Sequence, residues 1–180
     1  QNLLHSIIDI NLIDYNRIMK KFLVYCLPFL YLTLYGFDLK KELDKDISLI
    51  MPKVIEWRHD IHQHPELSNR EFRTSKKVAD HLISIGLEVE TGVAHTGVVG
   101  LLKGGLPGPT IAIRADMDAL PVIEKTGLSY ASQVKTTYLG NEVGVMHACG
   151  HDAHVAILMG VAEFFAKHKD QIKGSIVFIF

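Results

Sequence analysis

Between residues 52 and 180 the hydrophobic spacing alternates between a helical period and short β-rich runs, which restricts the chain to a layered α/β arrangement. Val54, Ile55, Trp57, Arg58 and Ile61 follow near-helical spacing, with Pro52 suited to the first position of that helix. His64-Pro65 ends it, because the residue before a proline avoids the helical region. Ser68-Asn69-Arg70-Glu71 has the capping-box pattern. Phe72, Val78, Ala79, Leu82, Ile83 and Ile85 then make a helical apolar face that Gly86 stops. Residues 87–91 and 98–104 read as strands, and Gly104-Gly105 with Pro107-Gly108-Pro109 reads as the turn to a compact apolar strand at 110–116. Asp152 is placed to cap a last helix, 153–167, apolar on most sides and so expected to be buried. The final run, 174–180, reads as a strand without turn or cap, so the chain is read as a piece that stops inside a domain. In a mixed sheet of this kind ligands bind at the carboxyl ends of strands.

The 180 residues, 48% hydrophobic, suffice for one core, and a net charge of −1 leaves no electrostatic footprint for nucleic acid. From Met19 two lysines precede an apolar run from Phe22 to Tyr35, the layout of a secretory leader. The run is short against the roughly 20 residues that span a bilayer. An uncleaved anchor or a buried helix are the alternatives. The expected organisation is an upstream segment at 1–18, a leader at 19–36, a linker or first helix at 37–51 and a folded domain at 52–180, in a secreted or periplasmic protein with no membrane contact after cleavage. Cys26 leaves with the leader, so Cys149 remains alone and forms no internal disulfide.

Three polar clusters carry the chemistry. Residues 147–154 offer His147, Cys149, His151, Asp152 and His154, with Cys149 and His151 flanking Gly150, where the backbone can turn sharply. Thiolate and imidazole are ligands that a borderline-soft divalent ion prefers, and Asp152 is placed to orient an imidazole. The same thiol suits a nucleophile activated by histidine, and a purely structural role is the third reading. In Arg114-Ala115-Asp116-Met117-Asp118 two carboxylates, Asp116 and Asp118, leave the end of an apolar strand and point the same way if the strand persists. In the segment 57–67, His59, His62 and His64 spread around a helix end and read as structural.

Taken together and in order, WRHDIHQHPELSNREFRTSKKVADHLISIGLEV, TGVVGLLKG, IAIRADMDALPV and MHACGHDAHVAILMGVA resemble the metal-dependent amidohydrolase and carboxypeptidase family that includes hippurate hydrolases, aminoacylases and indole-acetyl-amino-acid hydrolases. The likeness runs from about Val54 to Phe180. It implies a three-layer, mixed-sheet metallopeptidase-like α/β domain, truncated here, and beyond residue 180 a smaller inserted domain often used for dimer contacts. It implies hydrolysis of the amide bond of N-acyl amino acids with two divalent ions, zinc, manganese or cobalt. Cys149 and His151 map onto metal ligands, while the other ligands and the general-base glutamate lie past residue 180. Where broader relatives have His-x-Asp this chain has Asp116-Met117-Asp118, so Asp116 and Asp118 are expected to act behind the ligands, as Asp152 is from its place beside Cys149 and His151.

Overall fold

Short runs of alternating burial form a mixed sheet with three helices packed on one face. The structure, a computed structural model, describes residues 41–180. The expected leader, the segment before it and residues 37–40 lie outside the described residues. Residues 47–180 form one compact unit, and the described residues of the unit before it, 41–46, are helical. The larger unit opens with helix α1 (residues 47–63) and α2 (Phe72–Ser84). Strands β1 (Glu88–Val93), β2 (Gly97–Lys103) and β3 (Leu106–Arg114) follow. A hairpin comes next, β4 (Lys135–Tyr138) and β5 (Asn141–Gly144), then α3 (His151–Lys167), a 3-10 turn (Lys169–Gln171) and β6 (Lys173–Ile179). The main sheet has the order β1-β2-β6-β3, antiparallel except for the parallel pair β6–β3. In β2 and β6 every second residue is buried, and Val98, Leu102, Ile176 and Phe178 meet Ile61 of α1, Val78 and Leu82 of α2, and Val155 and Met159 of α3.

Four expectations need correction. Pro52 sits inside α1, not at its start. Its missing N–H removes one helical hydrogen bond, but α1 is held by its apolar face, where Trp57 and Ile61 join the core. Ser68 does not cap α2: Glu71 takes the N-cap position without a side-chain cap bond. The Glu66 carboxylate instead accepts the N–H groups of Arg73 (2.9 Å) and Thr74 (2.8 Å), the orphan donors of the first turn. Glu71 accepts from Asn69 N–H (3.1 Å) and the Thr96 hydroxyl (2.7 Å). Helix α3 begins at His151, so Asp152 lies within its first turn, and Gly150 is the N-cap.

The fourth correction concerns Pro107-Gly108-Pro109, which lies within β3 and leaves the turn to Gly104-Gly105. Among the described residues β3 stands at the edge of the sheet, where a strand needs no donor on its outer side. β3 is accordingly exposed along most of its length. Its register against β6 shifts between Leu106 and Thr110, where it wraps around Gly174. Gly174 has φ 85°, and a Cβ there would lie 1.8 Å from the Pro109 carbonyl oxygen. The β4–β5 hairpin, for which the sequence reading has no element, turns through Leu139 (φ 50°) and Gly140 (φ 80°).

Backbone-on-backbone contact cannot relax by moving a side chain. Gly174→Ala is therefore expected to lower the unfolding free energy by at least about 3 kcal/mol, the left-handed penalty plus the clash. Gly127→Ala has a similar φ of 72° but open space around it, and should lose only about 1–2 kcal/mol. Denaturant melts compare the two, and equal losses would remove the clash from the explanation.

Candidate metal centre

Because β3 and β6 are parallel, the chain between them must cross over, and here the crossover contains α3. That connection brings the carboxyl end of β3 and the first turn of α3 to the same end of the sheet, where open α/β sheets bind ligands. Backbone bonds then stitch the three polar clusters together. Ala119 N–H donates to the Glu66 carbonyl (2.7 Å), and Leu120 and Met146 exchange two N–H···O bonds at 3.0 Å. Leu67, Ala119 and Val145 fill the small apolar cluster beneath them.

Past β3 the alternation continues for five residues: Ala115, Met117 and Ala119 are buried, while Asp116 and Asp118 lie on the more open side. The two carboxylates separate in function there. Asp116 is paired with Arg114. Asp118 meets His151, whose Nδ1–H donates to both the Asp118 carbonyl (2.9 Å) and its carboxylate (3.0 Å). A carbonyl oxygen only accepts, so a proton is on Nδ1, and in the neutral ring the lone pair is on Nε2. Gly150, at φ 84°, turns the chain between Cys149 and this histidine, and its carbonyl accepts from Ala153 N–H (3.1 Å) and His154 N–H (3.2 Å). Cys149 is a free, exposed thiol. His154 is exposed, its ring 6.0 Å from that of His151.

Asp152 does not reach His151. It is 2% exposed and accepts from His62 Nδ1–H (2.9 Å) and Arg58 Nε–H (3.3 Å), two residues four apart on one face of α1. The other nitrogen of His62 donates to Glu124 (Nε2–H, 3.1 Å). Burial opposes the charge on Glu124, but bonds from the Thr126 hydroxyl, Ser132 N–H (2.6 Å) and His62 outweigh it and hold the carboxyl below its ordinary value. His62 and Glu124 are the residues that sequence reasoning missed. The i, i+4 spacing of Arg58 and His62 on an amphipathic helix was the available signal, whereas nothing marks Glu124. His59 stacks on Tyr130 (3.8 Å between centroids) and His64 Nδ1–H donates to the Asp60 carbonyl (2.8 Å), so the three histidines of that cluster do not converge.

His147 stands among both pairs, its ring 6.4 Å from that of His62, and is 4% exposed with no partner for either ring nitrogen. Burial pushes it down to about 4, helped by His62 and His151 and opposed by Asp152 and Asp118. Among the described residues no three His, Cys, Asp or Glu side chains are grouped to hold an ion by themselves.

An imidazole protonated in the unfolded chain near pH 6.5 but neutral when folded makes stability rise with pH between those values and fall as pH drops from about 6.5 toward 4. In the metal-free protein, His147→Gln should remove about 2 kcal/mol of that acid loss between pH 7 and 4.5. Chemical denaturation at pH 7 and pH 4.5 measures it, and parallel losses in both proteins would refute the assignment to His147.

The profile of peptidase family M20/M25/M40 matches residues 112–180. Thermostable carboxypeptidase 1 of Saccharolobus solfataricus is 51% identical over 144 residues, 79% of this chain and 35% of that protein. The N-acyl-L-amino acid amidohydrolase of Geobacillus stearothermophilus is 41% identical over 141 residues, 78% of this chain and 36% of its own length. Among solved structures, a Staphylococcus aureus protein described as an aminohydrolase superposes with a TM-score of 0.70 at 46% identity, over 77% of this chain and 34% of its own. A Bacillus subtilis protein described as a dinuclear metal-binding peptidase of family M20 gives 0.66 at 41%, over 74% and 35%. The chain thus spans about a third of the length of the curated relatives it matches. Over residues 112–180 its motifs match peptidase family M20/M25/M40, and its sheet resembles that of the solved members and relatives it superposes on.

Proposed function

We propose that this chain supplies the thiolate-and-imidazole side of a two-metal centre in an exported enzyme that hydrolyses the amide bond of N-acyl amino acids. The observation that carries the reading is His151, whose Nδ1–H is committed to Asp118 while Nε2 keeps its lone pair. A carboxylate on the far nitrogen orients a ligating imidazole and raises its basicity. Cys149 lies across the left-handed Gly150 from it, with its thiol exposed. The donor set fits a divalent ion, and sulfur with nitrogen favours zinc over manganese or cobalt. His147 adds support: an unmet buried imidazole costs about 1–3 kcal/mol, and a bound water or ion is the usual answer to it.

When bound, a pair of divalent ions would supply water far more acidic than bulk water and a charge that polarises the scissile carbonyl. The chain's own residues do the holding. Cys149 and His151 provide donors, Asp118 keeps the His151 proton on Nδ1, and Asp152 anchors the first turn of α3. The remaining ligands and the general-base glutamate are proposed to come from sequence beyond residue 180. Relatives named N-acyl-L-amino acid amidohydrolase and N-acetyl-L-cysteine deacetylase support the substrate class, and the B. subtilis dinuclear peptidase supports the pair of ions. The basic-then-apolar run at 19–36 supports export. Among the described residues no helix is long and apolar enough to cross a membrane.

In the full-length protein, Cys149→Ser should lower metal content and cut hydrolysis of N-acetylmethionine or hippurate by more than about 100-fold. A full metal complement in that variant defeats the ligand assignment. Chelation should abolish turnover, and metal should restore it. If alkylation of the thiol still stops a fully metal-stripped, active protein, the chemistry belongs to Cys149 as nucleophile. Asp118→Asn, which keeps a side-chain acceptor but loses its charge, should weaken metal binding about 10- to 100-fold, read by competition with a chelating dye.

A further inference from the structure

We infer that His62 is a positioning residue for the metal-binding turn, clamping Asp152, and with it Cys149-Gly150-His151, to Glu124 on the facing loop. The inference rests on the two-metal reading and deepens it. His62 lies on α1 with its side chain 6% exposed, Asp152 on α3 at 2% and Glu124 on the 115–134 connection at 1%. One imidazole thus joins three separate stretches through bonds of 2.9 and 3.1 Å. Ionised carboxylates only accept, so a ring with a carboxylate on each nitrogen donates twice. Both nitrogens are then spent, and His62 has no lone pair for a metal.

Beyond the bonds from His151 to Asp118, the turn that it holds has few other restraints. A Cβ on Gly150 would find nothing within 4 Å, and Cys149 is exposed and free. Asp152 is the residue directly after His151, so its anchorage to α1 sets how the first turn of α3 is rotated, and with it the placement of His151. On the other side, residues 121–123 and 125–129 are exposed, while Glu124 turns inward and also takes Ser132 N–H at 2.6 Å. Arg58 shares Asp152 but is half-exposed and does not reach Glu124, so it cannot replace the bridge.

The test is a cobalt(II) titration of the metal-free, full-length protein, followed by the thiolate-to-cobalt charge-transfer absorption, with circular dichroism for the fold. His62→Gln should keep the native spectrum, bind cobalt about 10- to 100-fold more weakly and show a diminished thiolate band. His62→Ala should be worse, because Gln retains one donor. A role confined to stability would lower the melting temperature and leave the folded variant's cobalt affinity and band unchanged; that result overturns the inference. Should His62→Gln fail to fold, Glu124→Gln cuts the charge on the opposite arm, and unchanged cobalt affinity there counts equally against the clamp. A wild-type protein whose absorption is no different from that of Cys149→Ser removes the metal reading itself, and the positioning role with it.

Discussion

A carboxylate buried to 2% exposure in the first turn of a helix has to be answered, and the answer to Asp152 organises the rest of the site. Left unpaired, such a charge costs several kcal/mol. The positive end of α3 meets part of that demand, and two donors from α1, His62 and Arg58, meet the remainder. Those donors are within reach only because the helices approach closely. Gly160 of α3 faces Val54 and Ile50 of α1, and a Cβ there would come within 2.6 Å of a Val54 methyl. Apolar packing brings α1 up to α3, and the polar requirement of Asp152 fixes its rotation.

The parallel β3–α3–β6 crossover has a second consequence. It leaves the carboxyl end of β3 and the amino end of α3 as neighbours although 33 residues separate Asp118 from His151. The long connection between them does not wander. The Leu120–Met146 bridge closes it at its base, and Glu124 pins its middle to His62 and Ser132. A mobile loop could not hold one carbonyl and one carboxylate of the same residue against a single ring nitrogen; two anchors can.

How much of this was legible in the sequence depends on how local each cause is. The helices and most strands follow from spacing, because burial on one face imposes period 3.6 or 2 wherever it occurs. The capping box failed because Glu71 is claimed by Thr96, 25 residues away, and Glu66 serves the helix instead. Pro107-Gly108-Pro109 resembles a turn by composition, but its place in an edge strand depends on which neighbour β3 has. In the site, the acidic residues leaving a strand end were visible. That Asp118 and not Asp116 meets the imidazole depends on where Arg114 falls, and the bond between His62 and Asp152 joins residues 90 apart. No spacing rule reaches that far.

The histidines show why the distinction matters. A ligating imidazole must be neutral, with one nitrogen carrying a proton for its partner and the other keeping a lone pair. His62 leaves no nitrogen open, since carboxylates occupy both. His81 donates Nε2–H to the Met159 carbonyl (3.1 Å) in the contact between α2 and α3, where burial lowers its pKa. His59 and His64 are engaged at the surface. His151 combines partial exposure, a carboxylate on Nδ1 and an Nε2 left open to a further partner. Two imidazole–aspartate pairs thus sit side by side with opposite logic: the buried one, satisfied at both nitrogens, holds the frame, and the half-open one, satisfied at one, is left free to bind.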